Sequence, residues 1–195
     1  NGAANVNACI DSELAEELTI TGTATLSNAD GILTDGPLTL KNADLTLTGN
    51  NEDGGEEAIR AGRSDEDITI QNSKVTIAGT NSEGSFFHFG IRCGKLTVAN
   101  STLDVKAYGS AIAADTMEVS GADTIVMAET DSQNEGDYAL ALDDETSLTL
   151  NDGLALVAGK VNESKTAKIA QPEQAPTESG ESGEGGGDGF GTLLA

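Results

Sequence analysis

Proline is scarce in this 195-residue chain, with three in all, and cysteine and methionine occur twice each. Tryptophan is absent, aromatics make up 3%, and His88 is the sole histidine. Two cysteines in a chain this long do not make a disulfide scaffold. One histidine leaves no Ser-His-Asp or Cys-His set that convinces. Positive charge is short as well: 10 Lys+Arg stand against 33 Asp+Glu, a formal net charge of -23. Nucleic acid and anionic lipid are thereby argued against as partners, because phosphate would be repelled. The longest apolar stretches are only a few residues, so no membrane insertion is expected. What remains is a highly soluble surface protein, or one that neutralises part of its charge with hard cations. The chain begins at Asn1 rather than methionine, so we expect a processed piece whose leader or anchor lies outside it.

What the chain does have is a repeat. A small residue followed by Ile or Leu recurs as Cys9-Ile10, Gly31-Ile32, Ala58-Ile59, Gly90-Ile91, Ala111-Ile112 and Ala139-Leu140. Each pair precedes an apolar-polar-apolar triplet, ending at Ile20, Leu40, Ile70, Val98, Val119 and Leu150. A second triplet follows, ending at Leu26, Leu47, Ile77, Val105, Met127 and Leu156. Alternation with period two makes each of these a short strand with one apolar face. Two places past the first triplet stand Gly22, Asn42, Asn72, Asn100, Gly121 and Asp152. All six tolerate the left-handed backbone conformation, which is what a repeating corner requires.

One repeat cannot bury three apolar faces alone, whereas stacked repeats pair every strand in parallel, roughly 4.8 Å apart. The expected fold class is therefore all-β: a single-stranded, right-handed parallel β-helix, a solenoid of about six coils with three short strands per coil. Its rod would be roughly 29 Å long at that rise. Ile10, Ile32, Ile59, Ile91, Ile112 and Leu140 should form one inward ladder, and Leu18, Leu38, Ile68, Leu96, Met117 and Leu148 another. Thr19, Thr39, Thr69, Thr97 and Thr149 should form an outward ladder, broken by Glu118. An antiparallel sandwich also uses short alternating strands, but it would not hold one corner residue type in register. Only the stretch from Asp11 to Leu18 carries a weak helical signal, enough for one cap turn. The folded domain is expected over 1–170. From Gln171 the composition turns to Gly, Ser, Glu and Pro, so 171–195 reads as a flexible acidic tail that tethers the domain to a further module or the cell surface.

With the repeats aligned, the phrases DGILTDGPLTLKNADLTLTG, EAIRAGRSDEDITIQNSKVTIAG and GIRCGKLTVANSTLDVKAYG resemble a bacterial family of carbohydrate-binding β-helix domains, pectate-lyase-like in fold. The resemblance covers approximately residues 8 to 160. It implies a secreted or cell-surface protein of an anaerobic Gram-positive bacterium that binds plant or surface polysaccharide, with calcium held by acidic loops. Helices of this style also occur in pectate lyases and adhesins, and no residue-level binding motif carries across.

The segments after the third strand are long in three places, 49–57, 79–89 and 128–138, and should share one edge of the rod, where repeat scaffolds recognise ligands. They collect Asn50, Glu52, Asp53, Glu56, Glu57, Glu83, Asp131, Glu135 and Asp137. Oxygen ligands at that density suit calcium, the candidate cofactor, although no Asp-x-Asn-x-Asp-Gly loop is present and a solvated acidic edge is the plainer reading. Asp35, Asp65, Glu66, Asp67, Asp115, Asp143 and Asp144 form a second acidic cluster, in the turns after the first strand. Arg60 and Arg92 follow the inward Ile of their repeats, so they should stack on one outward face. Nearby carboxylates such as Asp65 or Asp35 would neutralise them, or the pair clamps the carboxylates of a uronic-acid polymer through bidentate guanidinium geometry. Phe86, Phe87 and Phe89 flank His88, and Tyr108 and Tyr138 fall at comparable points of later repeats. Such rings either stack on sugars or fold back over the flank of the helix.

Three function classes follow: a non-catalytic extracellular polysaccharide-binding module assisted by calcium, a pectate-type polysaccharide lyase, and a structural stalk or adhesin segment without a glycan ligand. Catalysis is less well supported than binding, since a base beside calcium-holding acids on one strand face is not evident. Cys93 occupies the position of Ala61 and Ala114 and should be a buried small residue, out of disulfide reach of Cys9.

Overall fold

The computed structural model describes residues 8–28, 30–49, 55–79, 87–132, 134, 136–142, 148–152, 155–158 and 167–168. Among them there is no helix, and every strand pairing is parallel within one open sheet. Three ladders make up this sheet. The first runs through β1 (Ala8–Ser12), β3 (Asp30–Thr34), β5 (Gly55–Ala61), the opening of β8 (Phe87–Ala99), the opening of β10 (Ile112–Ser120), β12 (Leu140–Leu142) and β15 (Ala167–Lys168). The second joins the opening of β2 (Leu18–Asn28), the opening of β4 (Leu38–Gly49), β6 (Ile68–Gln71), the ends of β8 and β10, and β13 (Leu148–Asn151). The third joins the ends of β2 and β4 to β7 (Lys74–Ala78), β9 (Thr102–Ala107), β11 (Ile125–Thr130) and β14 (Ala155–Ala158). Ala167, opposite Leu140, starts a seventh rung beyond the six repeats read from sequence.

The first two inward ladders pair residue for residue as the spacing requires. Ile10, Ile32, Ile59, Ile91, Ile112 and Leu140 stand opposite one another, as do Leu18, Leu38, Ile68, Leu96, Met117 and Leu148. Their central members join inward residues of the third ladder, such as Leu45, Val75 and Leu103, in one buried cluster. The outward threonines pair likewise. Glu118 interrupts them because its carboxylate accepts a 2.8 Å bond from Lys95 one rung away, an exposed pair of modest worth.

All six corner positions have positive φ: Gly22 at 94°, Asn42 at 50°, Asn72 at 50°, Asn100 at 48°, Gly121 at 96° and Asp152 at 53°. A short serine ladder ties the three asparagine corners together. Ser73 Oγ accepts the Ala43 N–H and donates to carbonyls of Leu40 and Gln71, and Ser101 Oγ accepts the Ser73 N–H in the same way. Each buried hydroxyl thus satisfies a backbone donor that the corner takes out of the sheet.

Two expectations change. Asp11–Leu18 forms no helical cap turn; it completes β1, bends and enters β2. One turn of helix is costly to nucleate, and Leu18 is more stabilising as an inward rung. The fifth repeat also shifts by one residue in the third ladder. Val126 and Ala128 pair with Leu103 and Val105 and are buried, while Ile125 is 41% exposed. The corner after Gly121 is longer, and Thr124 folds back to donate its N–H to the Gly121 carbonyl. Two residues more lie between Ser120 and Ile125 than between Ala99 and Thr102. That is one more than an inward Ile125 and Met127 would need, and with a side-chain period of two the single step exchanges the expected faces.

Candidate functional site

Burial at the start of β8 departs from simple alternation, since Phe87 and Phe89, two residues apart, do not share one environment. Phe87 is fully buried, packed toward the backbone of Gly79, so the expected sugar platform loses this ring to the core. His88 and Phe89 are half-buried and sit edge to face with centroids 4.6 Å apart. The imidazole lies over the Gly109 backbone, where an added Cβ would come within 3.0 Å of it, and Tyr108 lies 6.5 Å away. Tyr138 is half-buried, and its N–H donates to Ser110 Oγ at 3.1 Å. Phe86 lies outside the described residues.

Arg60 and Arg92 stand directly opposite each other in the β5–β8 register. Their counter-ion is neither Asp65 nor Asp35 but Glu57, expected from sequence to serve a calcium loop. The Glu57 side chain is 4% exposed, with Oε1 3.0 Å from Arg92 and Oε2 3.5 Å from Arg60. Glu57 lies on β5, and its own N–H donates to the Asp30 carboxylate. One buried acid therefore spans two half-exposed guanidinium groups, leaving the trio with a single positive charge. The Arg92 guanidinium also lies 4.4 Å over the Phe89 ring, which fixes that ring and keeps the cation beside it.

Removing the Glu57 charge should be felt in stability. Glu57→Gln leaves two adjacent cations with a neutral acceptor, and we expect a loss of about 2 kcal/mol, set by charge-assisted bonds to partly exposed partners. Urea unfolding midpoints measure it; an unchanged midpoint would show that the ion pairs contribute nothing.

Of the other expected metal ligands, only Asp131 and Asp137 have described side chains. Asn50, Glu52, Asp53, Glu83 and Glu135 lie outside the described residues, and of Glu56 the backbone alone is described. Asp137 is buried and accepts hydrogen bonds from Ser132 Oγ and Asn134 Nδ2, closing its own turn. Asp131 is half-exposed, and its N–H pairs with the Ala107 carbonyl. Among the described residues, no three His, Cys, Asp or Glu side chains converge. Cys93 is buried opposite Ala114, and burial first, then the charges of Asp67 and Asp115, push its thiol up to about 12. Both cysteines are free thiols.

A second surface, not anticipated from sequence as a site, lies along the corners. A shallow groove of about 610 Å³ has Asn42, Asn72 and Asn100 along it, with Asp44, Lys74 and Thr102 flanking them in register. The signal for it was present in the corner residues, which the repeat explained fully as turn formers. No protein-family model, curated protein or solved structure matches this chain.

Proposed function

We propose that the chain is a right-handed parallel β-helix of the carbohydrate-binding kind and acts as a non-catalytic, extracellular polysaccharide-binding module. Three parallel ladders around one core, turned at left-handed corners, support the solenoid. The binding reading is carried by one observation: His88, Phe89 and Tyr108 form a half-exposed row of rings with Arg92 laid over Phe89. Aromatic faces stack on the apolar faces of sugar rings, and an adjacent guanidinium donates to hydroxyl or carboxylate oxygens. Glu57 already occupies both arginines. That pairing weighs against a polyuronate clamp and against an arginine base for a lyase. Calcium, where it contributes, is held by the acidic loops, and the tail 171–195 tethers the module to a neighbouring domain or the cell surface.

Retention on immobilised plant and bacterial polysaccharides, with and without a calcium chelator, tests the reading. Phe89→Ala and Tyr108→Ala should each weaken retention roughly tenfold, the equivalent of about 1.4 kcal/mol of stacking. Absence of retention on every glycan would leave a structural stalk. Unsaturated products from polygalacturonate would instead establish a lyase.

A further inference from the structure

The corner residues do more than turn the chain. Asn42, Asn72 and Asn100 adopt φ of 50°, 50° and 48°, so their side chains leave the backbone in the same direction at successive rungs, roughly 4.8 Å apart. All three are exposed along the groove of about 610 Å³. Among the described residues, no protein group hydrogen-bonds to these three amides. The floor behind them is closed: Ser73 and Ser101 are buried, with their hydroxyls consumed by the backbone ladder. At the far end, Asn100 Oδ1 lies over Gly121, where a Cβ would meet it at 2.2 Å.

We propose that this groove is a second binding site, for a linear, uncharged polysaccharide lying along the row of amides. Each amide offers two donors and a carbonyl acceptor, the complement of sugar hydroxyls, and the repeat presents that set once per rung to a repeating polymer. Polyanions are disfavoured, because Lys74 is the one cation lining the groove against Asp44 and Asp123, on a chain of net charge -23. An extended peptide finds no unpaired strand edge, since the flanking segments are paired on both sides in the middle of the sheet. No aromatic lines the groove, so base stacking is not on offer. The inference stands on the amide row and not on the ring patch at the other end of β8.

The test uses the full chain in affinity electrophoresis through gels containing soluble mixed-linkage β-glucan, glucomannan or polygalacturonate. Wild type should be retarded by at least one of the neutral polymers. The triple variant Asn42→Gly, Asn72→Gly, Asn100→Gly removes the amides while using the residue that the chain itself places at Gly22 and Gly121. A second triple variant, each Asn→Asp, keeps the shape and follows Asp152, which holds φ 53°. Both should lose neutral-glycan retardation at least tenfold, whereas Glu129→Gln, which breaks an exposed ion pair away from the groove, should run like wild type. If the glycine and aspartate variants run like wild type while Phe89→Ala loses retardation, the groove proposal falls and the ring patch stands. If wild type is retarded by neither neutral polymer, the groove proposal falls as well.

Discussion

Gly90→Ala is expected to cost the fold about 3 kcal/mol, the upper range for overpacking a filled interior. A Cβ at Gly90 would sit 2.3 Å from Val105 Cγ1 and 2.4 Å from the Ala111 carbonyl oxygen. Neither neighbour can give way cheaply. Val105 is fully buried in the third ladder, and the Ala111 carbonyl accepts the Ile91 N–H at 2.9 Å in the first. One methyl would therefore push apart two ladders at once. Gly22→Ala is the internal comparison: its φ is +94°, but nothing lies within 4 Å of the added atom. Only backbone strain of about 1–2 kcal/mol applies there. Urea or thermal unfolding of the two variants should rank Gly90→Ala well below Gly22→Ala; the reverse order would mean that close packing of successive rungs is not what selects glycine at position 90.

Above about pH 9 the protein should lose stability steeply through Cys93. Burial raises the folded thiol from an ordinary 9.0 to about 12. The unfolded chain then releases this proton first, so the contribution is fully present below pH 9 and is lost as pH rises from 9 through 12. At about 1.4 kcal/mol per unit, the loss over that window is on the order of 4 kcal/mol. Lys95 and Lys106, whose ammonium groups Glu118 and Glu129 hold above the ordinary 10.5, add a loss of the same sign from about pH 10.5 upward. Cys93→Ala isolates the thiol, because alanine already fills the opposite position at Ala114. The melting temperature of wild type should fall faster between pH 8.5 and 11 than that of Cys93→Ala. Parallel curves would show that the thiol ionises freely and is not sealed in the core.

The ladders and corners were legible because each is a local property repeated. Period-two alternation tells which side chain faces inward, and a left-handed corner needs Gly, Asn or Asp wherever it recurs. Ile59 opposite Ile91, Thr39 opposite Thr69 and the positive φ at Asn72 follow directly. The exchange of Ile125 for Val126 at the core was not legible, since it depends on how many residues the Gly121 corner consumes. The two arginines were placed correctly on one face, yet their partner was not found. Glu57 belongs to a segment rich in acids, and only packing shows which one the chain encloses.

The amino-acid sequence by itself therefore determined the repeat, the parallel pairing it demands, the inward ladders and the left-handed corners. Tertiary structure alone decided that Phe87 is core and Phe89 surface, that Glu57 neutralises Arg60 and Arg92, and that the corner amides border an open groove. The reason is physical. Face and corner preferences reside in single residues and their neighbours, whereas burial, ion pairing and concavity arise between rungs about thirty residues apart in the chain, as Arg60 and Arg92 are.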